Sequence, residues 1–208
     1  MDLFNYGYYN ENDLKQYGFK SIGKNVLIDK NCTIIGKENI SIGDNVRIDG
    51  FTTITCINNG YLKIKGNNHI ASYCLIAASG GITFERFSGI AHGVKLYSSS
   101  DDYSGKSLTN PTISKKYKNE VVKPIYLGEH CIIGSNSVVL PGVNISQGVA
   151  VGAMSLVTKN LDEWGIYFGT PVNRIKNRSK KLLELEKFYK EDYELDEYEK
   201  DCNNWRNK

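Results

Sequence analysis

Histidine is scarce in this chain. Its 208 residues hold three, and none of them forms the His-x-x-x-His spacing of a zinc site. There is no Cys-x-x-Cys either. The five cysteines are odd in number and widely spaced, which speaks for buried, reduced thiols rather than disulfides or a metal centre. No Walker or dinucleotide fingerprint is present, so ATP and NAD are not indicated. No apolar run approaches the length of a bilayer span, and the start, Met-Asp-Leu-Phe-Asn-Tyr, lacks the basic-then-apolar order of a secretory signal. These absences lead to the expectation of a cytoplasmic protein with no membrane insertion and no metal. The net charge of +3 is too mild to argue for nucleic acid. A hydrophobic content of 40% is enough for one core, and the length suits one domain.

What the chain does have is a repeat. Leu127, Ile133, Val139, Ile145, Val151 and Val157 lie six residues apart, and the fifth residue of each hexapeptide is slim: Cys131, Ser137, Val143, Val149 and Ser155. A period of six fits neither an amphipathic helix nor a lone half-buried strand. It fits a triangular solenoid, one hexapeptide per side and three per coil. The same phase runs through Ile22, Ile28 and Ile34, then Ile42, Ile48 and Ile54, then Ile64, Ile70 and Ile76, then Phe84, Ile90 and Leu96. Val26, Cys32, Val46, Thr52, Cys74, Ser88, Val94 and Ser100 take the slim places. The fold class expected is therefore an all-β solenoid with inward aliphatic stacks.

Residues 1–21 read as a cap, with Asn10 starting a short helix that stops at Gly18. The coils occupy 22–159, and 160–170 is expected to leave them as a loop, so that the domain spans 22–170. An insertion at 101–125 follows the coil ending in Leu96; a loop of that length inside a compact repeat is usually functional or disordered. Residues 171–208 hold a basic segment and then a charged helix, 179–200, whose Leu182, Leu183, Leu185, Phe188 and Tyr189 form a docking stripe. The last eight residues are expected to fray.

The segment 139–159, ending Ser155-Leu-Val-Thr-Lys159, together with Gly169-Thr-Pro-Val-Asn-Arg-Ile-Lys176, resembles the hexapeptide-repeat acetyltransferases of the galactoside and maltose branch. It is more similar still to the sugar acetyltransferases of surface-polysaccharide clusters, and the likeness covers roughly residues 10–190. The resemblance implies a left-handed parallel β-helix, acetyl-CoA as co-substrate and a homotrimer with sites between subunits. For the coenzyme it implies Gly134, Ser135, Gly152, Ala153, Ser155, Thr158 and Lys159, with Arg174 and Lys176 near phosphates. Glycine would also serve as a mere corner residue at Gly134. Trp164 and Tyr167 are expected to pack on the last coil sooner than to stack on adenine.

The chain departs from that family at one informative place. The relatives carry a catalytic histidine at the last position of the hexapeptide that opens the long loop. Here that position is Asp101, followed by Asp102. A sugar hydroxyl benefits strongly from a base, whereas an amine needs only to be neutral to attack, and a carboxylate can steer it and accept its proton. The expected acceptor is thus the amino group of a nucleotide-linked sugar destined for a lipopolysaccharide or O-antigen. O-acetylation of a sugar or xenobiotic, or a non-catalytic scaffold, are the rivals. A turn would also use Asp101 and Asp102. His92, outward on the same coil, is the second candidate base. Tyr97, Tyr103 and Asn110 are candidate substrate contacts.

Overall fold

The computed structural model describes residues 7–193. The three aliphatic series form the three sides of a left-handed parallel β-helix of about seven coils. On side one Ile22, Ile42, Ile64, Phe84, Leu127 and Ile145 are successive register partners. On side two the order is Ile28, Ile48, Ile70, Ile90, Ile133 and Val151. On side three it is Ile34, Ile54, Ile76, Leu96, Val139 and Val157. Every register expected from the phase holds, including the step across the insertion from Leu96 to Val139. All are buried except Ile22 and Ile34, which end their stacks. At about 2 kcal/mol per buried side chain, one stack contributes on the order of 10 kcal/mol against chain entropy.

The slim positions have a second role. Cys32 Sγ donates to the Asp49 carbonyl, Thr52 Oγ1 to Ala71, Cys74 Sγ to Ala91 and Ser137 Oγ to Gly152. A small polar side chain therefore satisfies a corner carbonyl of the next coil, a group that would otherwise be buried without a partner. Burial pushes the Cys32 thiol up to about 12 and those of Cys74 and Cys131 to about 11. None is a thiolate at neutral pH, in line with the expected inert core thiols.

Three local expectations change. Ser100 is not inward. Ser98 takes the buried place, and Ser99–Ser100 pairs antiparallel with Val121–Val122 at the root of the insertion. Residues 160–170 do not leave the coils. Leu161 bridges Ile145, and Gly165–Gly169 adds to Ala150–Val151, with Tyr167 as the next inward residue. The sequence hides this because a tyrosine replaces the aliphatic. Trp164 is buried against Gly148, so packing is its role, as expected. Finally, Val172–Asn177 turns back antiparallel on Gly165–Gly169 and covers the open end.

At the other end, helix α1, Glu11–Gln16, carries the expected Asn10 cap as a full capping box with Asp13. Helix α2, Leu182–Tyr193, lies along the corner between sides one and two. His130 Nε2 bonds Glu186 Oε2 at 2.9 Å, and the Asn67 amide donates to Tyr189 Oη at 3.1 Å. The expected apolar stripe is only half used: Leu182 and Leu183 are half-buried, whereas Leu185 and Phe188 remain exposed. Polar and ring contacts do the rest of the docking. Residues 1–6 of the expected cap, 194–200 of the expected helix and the last eight residues lie outside those described.

Candidate active site

Each coil passes from side two to side three through a corner of three residues. Stacking places Ala91-His92-Gly93, Gly134-Ser135-Asn136 and Gly152-Ala153-Met154 one above another at this corner. Gly134 has no room for a side chain: a Cβ there would sit 2.4 Å from the Ala153 amide nitrogen. His92 is exposed, and its carbonyl accepts the Asn136 amide at 2.9 Å. Glycine here serves the packing of one corner on the next, and at Gly152 the Phe168 ring takes the room, 2.5 Å from where a Cβ would lie. Ser155 lies just inside, buried, with its hydroxyl accepting the Gly169 amide.

The other named residues stand at the far edge of side three. The strand Lys95–Tyr97 begins after His92 and ends before Asp101. Tyr97 is half-buried on its outer face. Asp101 Oδ2 accepts the Asn110 amide at 3.2 Å across the insertion. Asp102 behaves differently. It takes hydrogen bonds from the Ser104 hydroxyl and amide and from the Ser107 hydroxyl, and those bonds hold its carboxyl below the usual range. Its carboxylate closes the loop, as a turn aspartate does. Tyr103 is 93% exposed, and Asn110 sits in a left-handed turn with φ 74°. Thr158 and Lys159, exposed, occupy the same edge two coils on.

The candidate residues therefore fall into two groups separated by the width of side three. One holds His92, Gly134, Ser135, Gly152 and Ala153; the other holds Asp101, Thr158 and Lys159. A single chain does not bring them together. Arg174 belongs to neither. Its guanidinium bonds Tyr167 Oη, the Glu163 and Trp164 carbonyls and Asn177 Oδ1, and it lies over the Tyr167 ring. Those contacts fasten the returning strand to the last coil. Lys176, on that strand, is exposed.

Sequence reasoning missed a charged cluster on the outer face of side two. Asp49 is 6% exposed, 2.7 Å from His69 Nε2 and 2.6 Å from Arg47 Nε, and it accepts from Tyr8 Oη. The register was legible, since Arg47 pairs with His69, but the partnership needed the outward alternation to be followed. The cluster borders a cleft of about 860 Å³ that runs over side two to His92 and α2. Burial works to raise the Asp49 carboxyl, but the bonds from His69 and Arg47 outweigh it and bring it from 3.8 to about 2. A depressed carboxyl adds stability above its unfolded value and loses it as pH falls through the folded one. Asp49→Asn is therefore expected to cost about 2 kcal/mol at pH 7. The gap between parent and variant in urea midpoints should close between pH 4 and pH 2. A gap that stays constant to pH 2 would remove these bonds as its source.

A left-handed solenoid of stacked hexapeptides is the fold of the hexapeptide acyltransferases. The model of the hexapeptide repeat of succinyl-transferase matches residues 21–56 and 124–159. The chain is 40% identical to the dTDP-4-amino-4,6-dideoxy-D-glucose acyltransferase of Escherichia coli over 183 residues, 88% of this chain and 95% of that one. It also matches the solved AntD, an N-acyltransferase from Bacillus cereus in complex with dTDP and 3-hydroxybutyryl-CoA. The identity there is 42%, with 90% of this chain and 98% of that one covered and a TM-score of 0.86. A maltose O-acetyltransferase from Clostridium difficile 630, 22% identical with a TM-score of 0.55 over 82% of this chain and 75% of that one, shares the fold. The chain belongs to the hexapeptide-repeat acetyltransferase family. It is an acyltransferase that uses a coenzyme A thioester, which retires the scaffold reading.

Proposed function

We propose that this enzyme transfers an acetyl group from acetyl-CoA to the amino group of a dTDP-linked amino sugar, as a cytoplasmic homotrimer serving surface-polysaccharide synthesis. The observation that carries the reading is near-full-length likeness to AntD, of which a serine-to-alanine variant, 43% identical to this chain, has been solved with dTDP-4-amino-4,6-dideoxyglucose and coenzyme A. The aspartate at the loop root supports it. Solved variants of AntD replace one aspartate by alanine or asparagine.

The pantetheine arm of coenzyme A lies along the corner of Gly134, Ser135, Gly152 and Ala153, beside the Phe168 ring that packs against Gly152. Lys159 and Lys176 supply the charges for its phosphates. Asp101 faces the sugar amine, holds it and takes its proton. The neutral nitrogen attacks the thioester carbonyl, the carbon–sulfur bond breaks, and the amide forms as the thiolate leaves. The proton passes from Asp101 to that thiolate or to water. Asp102 shapes the loop, and Tyr97 and Asn110 stand beside the acceptor. Arg174 is reserved for holding the last coil.

Thiol release from acetyl-CoA tests the reading directly. Turnover should be at least about 100-fold faster with dTDP-4-amino-4,6-dideoxyglucose than with the matching 4-hydroxy sugar, and should rise with pH as the amine loses its proton. Equal turnover of the hydroxy sugar would reassign the enzyme to O-acetylation.

A further inference from the structure

The corner between sides two and three continues below His92 into two exposed rings. Phe51 and Tyr73 are 59% and 63% exposed and stack on each other with centroids 5.1 Å apart and planes within 7°. Their backbones are left-handed, φ 60° and 63°. The corner geometry demands that conformation; Asn25, Asn45, Asn67 and Asn136 meet it with the residue that tolerates it best, whereas Met154 at this same corner, and Phe87 and His130 at the next, do not. A bulky aromatic there works against local preference. Departures of this kind cluster at functional sites.

The molecule contains its own comparison. At the corner between sides one and two, Phe87 and His130 occupy the same kind of left-handed position and stack at 5.2 Å, 9°. That pair is covered, because Tyr189 of α2 meets Phe87 edge-on at 5.9 Å. The Phe51–Tyr73 pair has the same build and keeps an exposed aromatic surface.

We infer that the Phe51–Tyr73 pair is the stacking platform for the pyrimidine base of the nucleotide-linked sugar. This rests on the function proposed above. Neighbouring coils lie about 4.8 Å apart, so Phe51 is roughly 10 Å along the corner from the coil of His92. That span matches a base at one end and a hexose at the other, joined through ribose and diphosphate. Gly93 ends the aromatic column, with the Asn136 amide leaning across it, where a Cβ would come within 2.2 Å of Asn136 Oδ1. The corner thus runs in order from base, through the reacting amine, to the coenzyme groove at Gly134 and Gly152. The exposed ring faces suit one planar base.

The test exploits the strain. Phe51→Asn and Tyr73→Asn remove the rings and supply the residue the corner prefers, so both variants should melt at or above the parent temperature. Dissociation constants for dTDP, read by calorimetry, should rise about tenfold for each. Coenzyme A affinity and sedimentation mass should stay as in the parent. Unchanged dTDP affinity, or a drop in mass that makes the rings a subunit contact, would overturn the platform. If the parent itself binds coenzyme A but no dTDP, the proposed function fails instead.

Discussion

Asp101→Asn should lower turnover of an amino-sugar acceptor by about 100-fold or more, with little change in the Michaelis constant for acetyl-CoA. The amide matches the carboxylate in size, and its Oδ1 can still accept the Asn110 N–H that ties the loop. Only the proton-accepting capacity and the charge that holds an ammonium are lost. The neighbouring acid is the control. Asp102 already accepts from Ser104 and Ser107, so Asp102→Asn should loosen the loop and raise the acceptor's Michaelis constant more than it lowers turnover. His92→Asn is the second control. A drop of tenfold or less at Asp101 together with a larger one at His92 would move the proton to the histidine.

Mixing two dead variants should restore activity. In the proposed trimer, Asp101 stands at one edge of side three and the proposed coenzyme corner at the other, so the proposed site pairs Asp101 of one copy with Ala153 of the next. Ala153 is exposed, and Ala153→Trp blocks the corner without entering the core. Each variant alone should be nearly inactive. In an equal mixture, refolded or co-expressed, a random trimer completes a site whenever a Trp subunit lends its aspartate to an Asn subunit's corner. That happens at about a quarter of the interfaces, so about a quarter of parental activity should return. No recovery in a mixture shown to exchange subunits would place both groups within one chain. A monomeric mass at micromolar concentration would end the trimer itself.

Phase alone carried most of the fold. A six-residue aliphatic period is a strong signal because each inward residue must meet its counterpart one coil away. Insertions at the corners do not disturb this, and so Leu96 finds Val139 across a long excursion. The period gave out where its chemistry changed. Tyr167 fills an aliphatic place in the seventh coil, and Asn68 fills a slim one, buried and bonded to the Glu85 and Ser88 carbonyls. The loop root at Asp101 was likewise legible, because it is a position in the repeat.

What the sequence by itself determined is the solenoid, its inward stacks and the residue types at each corner, since all of these are set by near neighbours in a regular period. Tertiary structure alone decided which outward residues share a surface. Arg174 reads as a phosphate ligand in sequence, yet its guanidinium donates to Tyr167 and Asn177. Arg47 and His69 share a register that the phase makes legible, yet only the folded coils bring both onto the buried Asp49 carboxylate. Phe51 and Tyr73 lie 22 positions apart and stack only because a coil of about that length returns the chain to the same corner. Outward contacts depend on coil length, side-chain direction and corner conformation together, and no single one of these is written as a period.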